Sequence, residues 1–269
     1  MNLVPRFVPG VAALILSAAT AHADPRLRAE GSSFVLTTDG GRVLRSADLV
    51  GAILDVTDEY GQPARIRIDA VQPHPEMPAV LLHDFRVEVS PGDWQPMCDA
   101  DRAGVRMGLP VAGAWDPGGR FIADPAQFFV TCTSGSNAKC ILFGYDPWKT
   151  GPHGESLVPY YEACQNMVRA AYAGTTPFTT NGTTIDLYDD LGIQTPASLG
   201  DPDFAFEAGW TAEGAACVQH PRHPEVISAE ALSVAYPSLV VGDACTEEAA
   251  RAAGAHLFNR SRPVPTDGF

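Results

Sequence analysis

The chain has 269 residues, a formal net charge of −14, 45% hydrophobic residues and six cysteines. That hydrophobic share is near the globular average, so the chain can bury a core and does not read as disordered. The acidic balance, without a lysine or arginine cluster, excludes recognition of a phosphate backbone, and no nucleic-acid partner is expected.

Arg6 is the only charge before an apolar run over residues 8–19, and Ala21-His22-Ala23 then supplies the small residues of a leader cleavage site. The run is too short to cross a bilayer, and no later run approaches that length. The expectation is an exported protein, periplasmic or secreted, cleaved near Ala23, with no transmembrane segment in the mature chain. Six cysteines in such a chain read as a disulfide framework: Cys98, Cys132, Cys140, Cys164, Cys217 and Cys245. None forms Cys-x-x-Cys, so the redox and paired-knuckle zinc spacings are missing.

Residues 31–90 have the pattern of an antiparallel β-meander. Arg65-Ile66-Arg67-Ile68-Asp69-Ala70 alternates charged with apolar, as does Asp84-Phe85-Arg86-Val87-Glu88-Val89. Asp58-Glu59-Tyr60-Gly61-Gln62-Pro63 supplies a hairpin connection, and the prolines of residues 72–78 require a loop. Two strands are predicted over residues 128–131 and 140–145, flanking a Ser/Gly/Asn loop. Such a hairpin would set Cys132 opposite Cys140; the preferred pairing adds Cys217 with Cys245 and Cys98 with Cys164.

The strongest helical signal lies near 156–173, where Leu157, Tyr160, Tyr161, Cys164, Met167, Val168, Ala171 and Tyr172 build one apolar face. Pro159 belongs in its first turn and Gly174 marks its stop. Thr246, followed by Glu247 and Glu248, N-caps a C-terminal helix expected near 247–258, and a short helix should start at Ser228. Phe204, Phe206, Ala208 and Trp210 fall on one strand face, with Glu207 on the other. The class is α+β, β-rich: the meander of residues 31–90, then a disulfide-stapled mixed domain over 91–260.

Few residue patterns point to chemistry. Ser136-x-x-Lys139 with Lys149-Thr150-Gly151 resembles the serine β-lactamase pattern, but the serine is expected in a loop and no Ser-Asp-Asn exists. No nucleophile elbow, phosphate loop or dinucleotide fingerprint is present, so no cofactor is expected. His220 and His223 have His-x-x-His spacing, but Pro221 and Pro224 break the helix that would converge the rings, and no metal is expected. Asp186-Leu187-Tyr188-Asp189-Asp190 and Asp201-Pro202-Asp203 read as turns with Asx chemistry rather than calcium loops. Lys139, Asp186 and Glu207 remain the candidate catalytic charges, the first and last because each lies among apolar and aromatic residues.

Several ordered blocks carry a resemblance: Phe129-Val130-Thr131-Cys132-Thr133, Ala138-Lys139-Cys140, Gly144-Tyr145-x-Pro147-Trp148, Cys164-x-x-Met167-Val168-Arg169-Ala170, Gly182-Thr183-x-Ile185-Asp186-Leu187-Tyr188-Asp189 and Phe206-Glu207-Ala208-Gly209-Trp210. Over roughly residues 95–260 the chain resembles the ADYC-domain proteins, exported bacterial proteins of unassigned function named for an Ala-Asp-Tyr-Cys signature. Here the signature stands as Ala170-Ala171-Tyr172-Ala173, so its acid and its cysteine are both alanine. The resemblance implies that a bridge has been lost together with its second cysteine, near Tyr236-Pro237, leaving an even set. It also removes the signature acid from the catalytic candidates. The expected role is a disulfide-stabilised binding or envelope-associated module with an envelope or extracellular ligand. The alternative is a hydrolase working near Lys139, Asp186 and Glu207.

Overall fold

The structure is a computed structural model describing residues 26–58 and 60–262, so the expected leader and its cleavage site lie outside the described residues. Strands β1 (Arg26–Glu30), β2 (Ser33–Thr37) and β3 (Val43–Arg45) form an antiparallel sheet. A 3-10 turn, Ser46–Leu49, leads into β4 (Ile53–Thr57), β5 (Pro63–Pro73) and β6 (Leu81–Ser90), the antiparallel meander expected from the alternating pattern. Its first hairpin closes as an Asx turn: Tyr60 and Gln62 donate backbone N–H to Asp58 Oδ1 at 2.9 and 2.7 Å, and Gly61 takes φ +77°. β5 carries on through Pro73, so the proline-rich connection starts at residue 74.

The same sheet continues past residue 90. β7 (Asp93–Pro96) pairs with β6, and β8 (Gly108–Ala112) joins β6 through His83 and Gly108 and carries the edge strand β11 (Phe128–Cys132). A small hairpin, β9 (Ala114–Trp115) with β10 (Phe121–Ile122), projects between β8 and β11 in the chain. A second sheet, in the order β12-β15-β13-β14, is built from β12 (Asp186–Asp189), β13 (Ala205–Thr211), β14 (Gly214–Val218) and β15 (Leu257–Ser261). The helices are α1 (Ser136–Leu142), α2 (Val158–Arg169), α3 (Ala229–Ala235) and α4 (Glu247–Ala252). The main core joins Leu109, Val111, Ile141, Tyr161, Met167 and Trp210, so α2 packs on residues from both sheets.

Several expectations are corrected. Residues 136–142 are helix, where a loop leading into a strand over 140–145 was expected, because Ala138 and Ile141, one turn apart, bury against the main core. The cysteine pairing changes with it: Cys98 bridges Cys132, Cys140 bridges Cys164, and Cys217 bridges Cys245 as expected. The main helix runs over 158–169, shorter than 156–173, with Pro159 in its first turn. It stops at Ala170, not Gly174; Ala170 takes a left-handed φ of 48° and donates to the carbonyls of Asn166 and Met167. The C-terminal helix ends at Ala252 instead of near 258, because Gly254 at φ +85° turns the chain and residues 257–261 are drawn into the middle of the second sheet. Thr246 and Ser228 N-cap as expected, each accepting a backbone N–H three residues on. The face shared by Phe206, Ala208 and Trp210 is also broken, since Phe206 packs with Tyr188 and Phe258 while the other two enter the main core.

The N-terminal sheet is locked to the meander by a buried polar contact. His83 is fully buried on β6, its Nε2 lies 2.8 Å from Ser46 Oγ, and that hydroxyl accepts the Phe34 N–H at 2.8 Å. Phe34 and Phe85 pack around the imidazole, and burial pushes its pKa down to about 4 from 6.5. The neutral imidazole is therefore the folded form, and its contribution to stability is complete above about pH 6.5 and falls as pH drops toward 4. Measured by urea unfolding between pH 7 and pH 4, His83→Gln should lose stability less steeply than the parent. The two slopes should diverge by about 3 kcal/mol in total; parallel slopes would show that His83 titrates alike in the folded and unfolded chains.

Candidate functional site

Each candidate charge sits in its own surroundings. Glu207 is the extra residue of a β-bulge: Phe206 pairs with Arg260 and Ala208 with Asn259, so Glu207 has no opposite number on β15. The bulge turns its carboxylate into the interior, where it is fully buried. Arg222 clamps it through Nε to Oε2 and Nη2 to Oε1, both at 3.0 Å. Asn259 donates to Oε2 at 2.7 Å, Tyr172 Oη donates to Oε1 at 3.2 Å, and Trp210 Nε1 donates to Asn259 Oδ1 at 2.8 Å. Burial alone would raise the Glu207 pKa, but the guanidinium and the donors outweigh it and hold the carboxyl below its ordinary range. Every lone pair is committed, and the group is shut off from solvent. This is a structural hub rather than a general base.

Asp186, at the start of β12, accepts the N–H groups of Ala197 and Ser198 at 2.9 and 2.8 Å and the Ser198 hydroxyl, and so pins the 197–198 loop. Asp189 accepts the N–H groups of Leu191, Ile193 and Gln194 together with the Tyr145 hydroxyl, and Asp201 accepts the Asp203 N–H. These aspartates shape turns, as their sequence context implied. The side chain of Lys139, half-buried on α1, makes no hydrogen bond or ion pair among the described residues. Lys139, Asp186 and Glu207 share no hydrogen-bond partner, and the structure does not bring them together.

The serine pattern needs one correction. Ser136 opens α1 and Lys139 stands one turn on, so the loop expected there is absent. No hydrogen bond joins the two, however, and Thr150 is taken up in a bridge with Ser156. The two histidines go separate ways as well: His220 faces Gln219 and Ser261, while His223 faces Thr180, Thr183 and Glu225. Among the described residues no group of three His, Cys, Asp or Glu side chains is placed to hold a metal ion.

A different set of residues does converge. Glu162, Gln165, Asn166 and Arg169 repeat at helical spacing and form a polar stripe on α2, opposite its apolar face. The first three are nonetheless buried, at 3, 5 and 5% exposure. The β9–β10 hairpin and the start of α1 close over this stripe and leave a cleft of about 350 Å³, lined also by Trp115, Ser136 and Asn137. The Cys140–Cys164 bridge ties α1 to α2 immediately beside Gln165.

Two members of the stripe are satisfied. Glu162 accepts Arg120 Nε at 3.0 Å and the Phe121 N–H at 2.8 Å, which fixes the hairpin over the helix. Asn166 Nδ2 donates to the carbonyls of Thr211 and Ala212 at 3.1 and 3.0 Å. Gln165 is different: its amide makes no hydrogen bond among the described residues, and Nε2 is covered from water. Trp115 Nε1, in the same cleft, is likewise covered and unpartnered. Eight buried side-chain polar atoms lack a partner among the described residues, each at a cost, and these two line the same cleft. The 162/165/166/169 spacing was legible in the sequence as a polar stripe; that the hairpin would cover it was not.

A second cleft, of about 380 Å³, is lined by Thr183, Thr184, Arg222, His223, Ser261 and Arg262. Its cations are already engaged: Arg222 with Glu207, His223 with Glu225, and Arg262 with Asp203.

Compared with known proteins, residues 46–224 match a family described as the ADYC domain, which is well over half of the chain and reaches back into the meander. No curated protein and no solved structure matches the chain.

The hub predicts an order of mutational cost in urea unfolding. Glu207→Gln strands the buried Arg222 guanidinium and should lower stability by about 3–5 kcal/mol. Tyr172→Phe removes the acceptor for the Arg222 N–H, a 2.7 Å bond, and should cost about 1–2 kcal/mol. A Glu207→Gln loss smaller than the Tyr172→Phe loss would refute the hub as described.

Proposed function

The chain belongs to the ADYC-domain family, and on that premise we propose that it is an exported, disulfide-stapled binding module whose ligand occupies the cleft between α2, the start of α1 and the β9–β10 hairpin. The observation that carries this reading is the unpaired Gln165 amide, buried on the cleft wall in a helix whose other buried polar groups are bonded. A purely structural position would favour an apolar side chain there, since an unsatisfied amide is a net cost. A ligand that supplies the missing partners accounts for keeping it.

Export is supported by the three disulfides, which leave no free cysteine and persist in oxidising compartments. No helix among the described residues is long and apolar enough to cross a membrane. The hydrolase alternative at Lys139, Asp186 and Glu207 has less support, because two of the three are consumed by structural bonds and none meets another.

Two measurements test the proposal. In a Gram-negative host the full chain should appear in the periplasmic fraction, shortened to begin at Asp24, with no cysteine labelled by alkylation under non-reducing conditions. Cytoplasmic retention with labelled thiols would overturn export. Gln165→Leu should leave unfolding stability unchanged or raise it by about 0.5–2 kcal/mol, as removal of a functional but unsatisfied group does. A loss of more than about 1 kcal/mol would make the amide structural and remove the basis for a site in this cleft.

A further inference from the structure

The cleft's chemistry narrows its ligand, on the assumption that the cleft is the binding site proposed above. Its carboxylate is already paired: Glu162 is held by Arg120. Arg169 Nη2 donates to the Thr175 carbonyl at 2.8 Å, a neutral partner, so its charge has no carboxylate partner among the described residues. The other lining groups are neutral. Gln165 brings an amide with no hydrogen-bond partner among the described residues, its Nε2 covered until the side chain turns. Asn137 Oδ1 accepts the Tyr161 hydroxyl at 3.0 Å, which fixes the amide plane and leaves its NH2 end without a protein partner. Asn166 has the opposite arrangement: its NH2 end is committed to two carbonyls and its oxygen makes no hydrogen bond. Ser136 adds a hydroxyl, and Trp115 adds an apolar ring.

We infer that this cleft is a saccharide subsite, taking one or two neutral sugar rings. Each sugar hydroxyl donates one hydrogen bond and accepts others. It therefore matches side chains that offer a donor and an acceptor close together and fits poorly against a single fixed charge. Amide side chains at Asn137, Gln165 and Asn166 form such a wall, with donor and acceptor ends held in set directions by the bonds just described. Arg169 could also meet an acidic group on a ligand; the amide wall, not the charge, is what selects sugar hydroxyls. An extended peptide would pair through backbone along a strand edge, whereas this wall is made of helix side chains. The volume, about 350 Å³, lies at the small end of ligand pockets and suits a ring or two rather than a long chain. The Cys140–Cys164 bridge and the Arg120–Glu162 pair hold the two walls in place, so the donor pattern is set before the ligand arrives.

The test uses the disulfide-bonded mature protein with cellobiose, maltose and N,N′-diacetylchitobiose as probes and trialanine as the peptide control. Binding is read by calorimetry and by saturation-transfer NMR. At least one disaccharide should bind with a millimolar or tighter Kd, and trialanine should not. Gln165→Leu and Asn137→Ser should each weaken that binding about 10-fold or more while the thermal transition stays in place; the second variant covers the case in which the first folds poorly. Trp115→Phe should abolish any tryptophan fluorescence change on binding. No disaccharide binding at tens of millimolar, or binding that both variants retain, would overturn the saccharide assignment. Trialanine binding that Gln165→Leu removes would overturn it too, while leaving the cleft a binding site. A stability loss in Gln165→Leu, by contrast, would take away the cleft as a site.

Discussion

The buried Glu207–Arg222 pair is the constraint on which the rest of this structure depends. Two opposite charges in a fully enclosed site are tolerable only when their remaining hydrogen-bonding capacity is met. Here it is met by groups from four separate parts of the chain. Tyr172 follows α2, Asn259 lies on β15, Trp210 lies on β13, and the carbonyls of Met167 and Val168 close the end of α2 against the guanidinium at 2.8 and 3.3 Å. The arginine thus caps the end of α2, giving the Val168 carbonyl a donor and Met167 a second one beside the Ala170 N–H. The same contact fixes the angle at which α2 leaves the second sheet. Since the cleft wall is the opposite side of α2, the hub sets where Gln165 points without touching it.

The disulfides divide the remaining work. Cys98–Cys132 links the end of β11 to the loop after β7, holding the edge of the large sheet together. Cys217–Cys245 ties β14 to the turn before α4, where Ala250 and Ala255 press against Gly209 so closely that a Cβ there would meet them at 2.5 and 2.9 Å. Cys140–Cys164 differs because its neighbours line the cleft. A chain whose described residues form three separate hydrophobic clusters gains stability from each cross-link through the unfolded state, but only this bridge also restrains the relative position of the two cleft walls.

How much of this could be read from the sequence follows from the range of the interactions. The meander, the caps at Ser228 and Thr246, the placement of Pro159 and the Asx turns at Asp58 and Asp201 are local, decided within a few residues, and the sequence pattern placed them. Residues 136–142 were misread because Cys140-Ile141-Leu142-Phe143 is as apolar as a strand, and only packing against α2 selects the helix. The pairing of Cys132 failed for the same reason, since it depended on that hairpin. Glu207 was singled out correctly as a charge among aromatics, but its bulge is a property of pairing with β15, some fifty residues away. The cleft was hidden differently: Glu162, Gln165, Asn166 and Arg169 look like the wet face of an amphipathic helix until a hairpin from residues 114–122 lies over them.

The altered signature follows from the same hub. Of the Ala-Asp-Tyr-Cys positions, the tyrosine is the one whose side chain is bonded twice, donating to Glu207 and accepting the Arg222 N–H. It also stacks against Trp210 with ring centroids 5.4 Å apart. Ala171 is fully buried beside it. An aspartate there would add a second carboxylate at a fully buried position, and burying it without a cation would be costly. Alanine at 171 and a single buried acid at 207 are therefore one consistent choice, with charge balanced inside the hub. Tyr172 is bound by contacts on both sides, whereas positions 171 and 173 can be alanine as long as the Glu207–Arg222 pair stands.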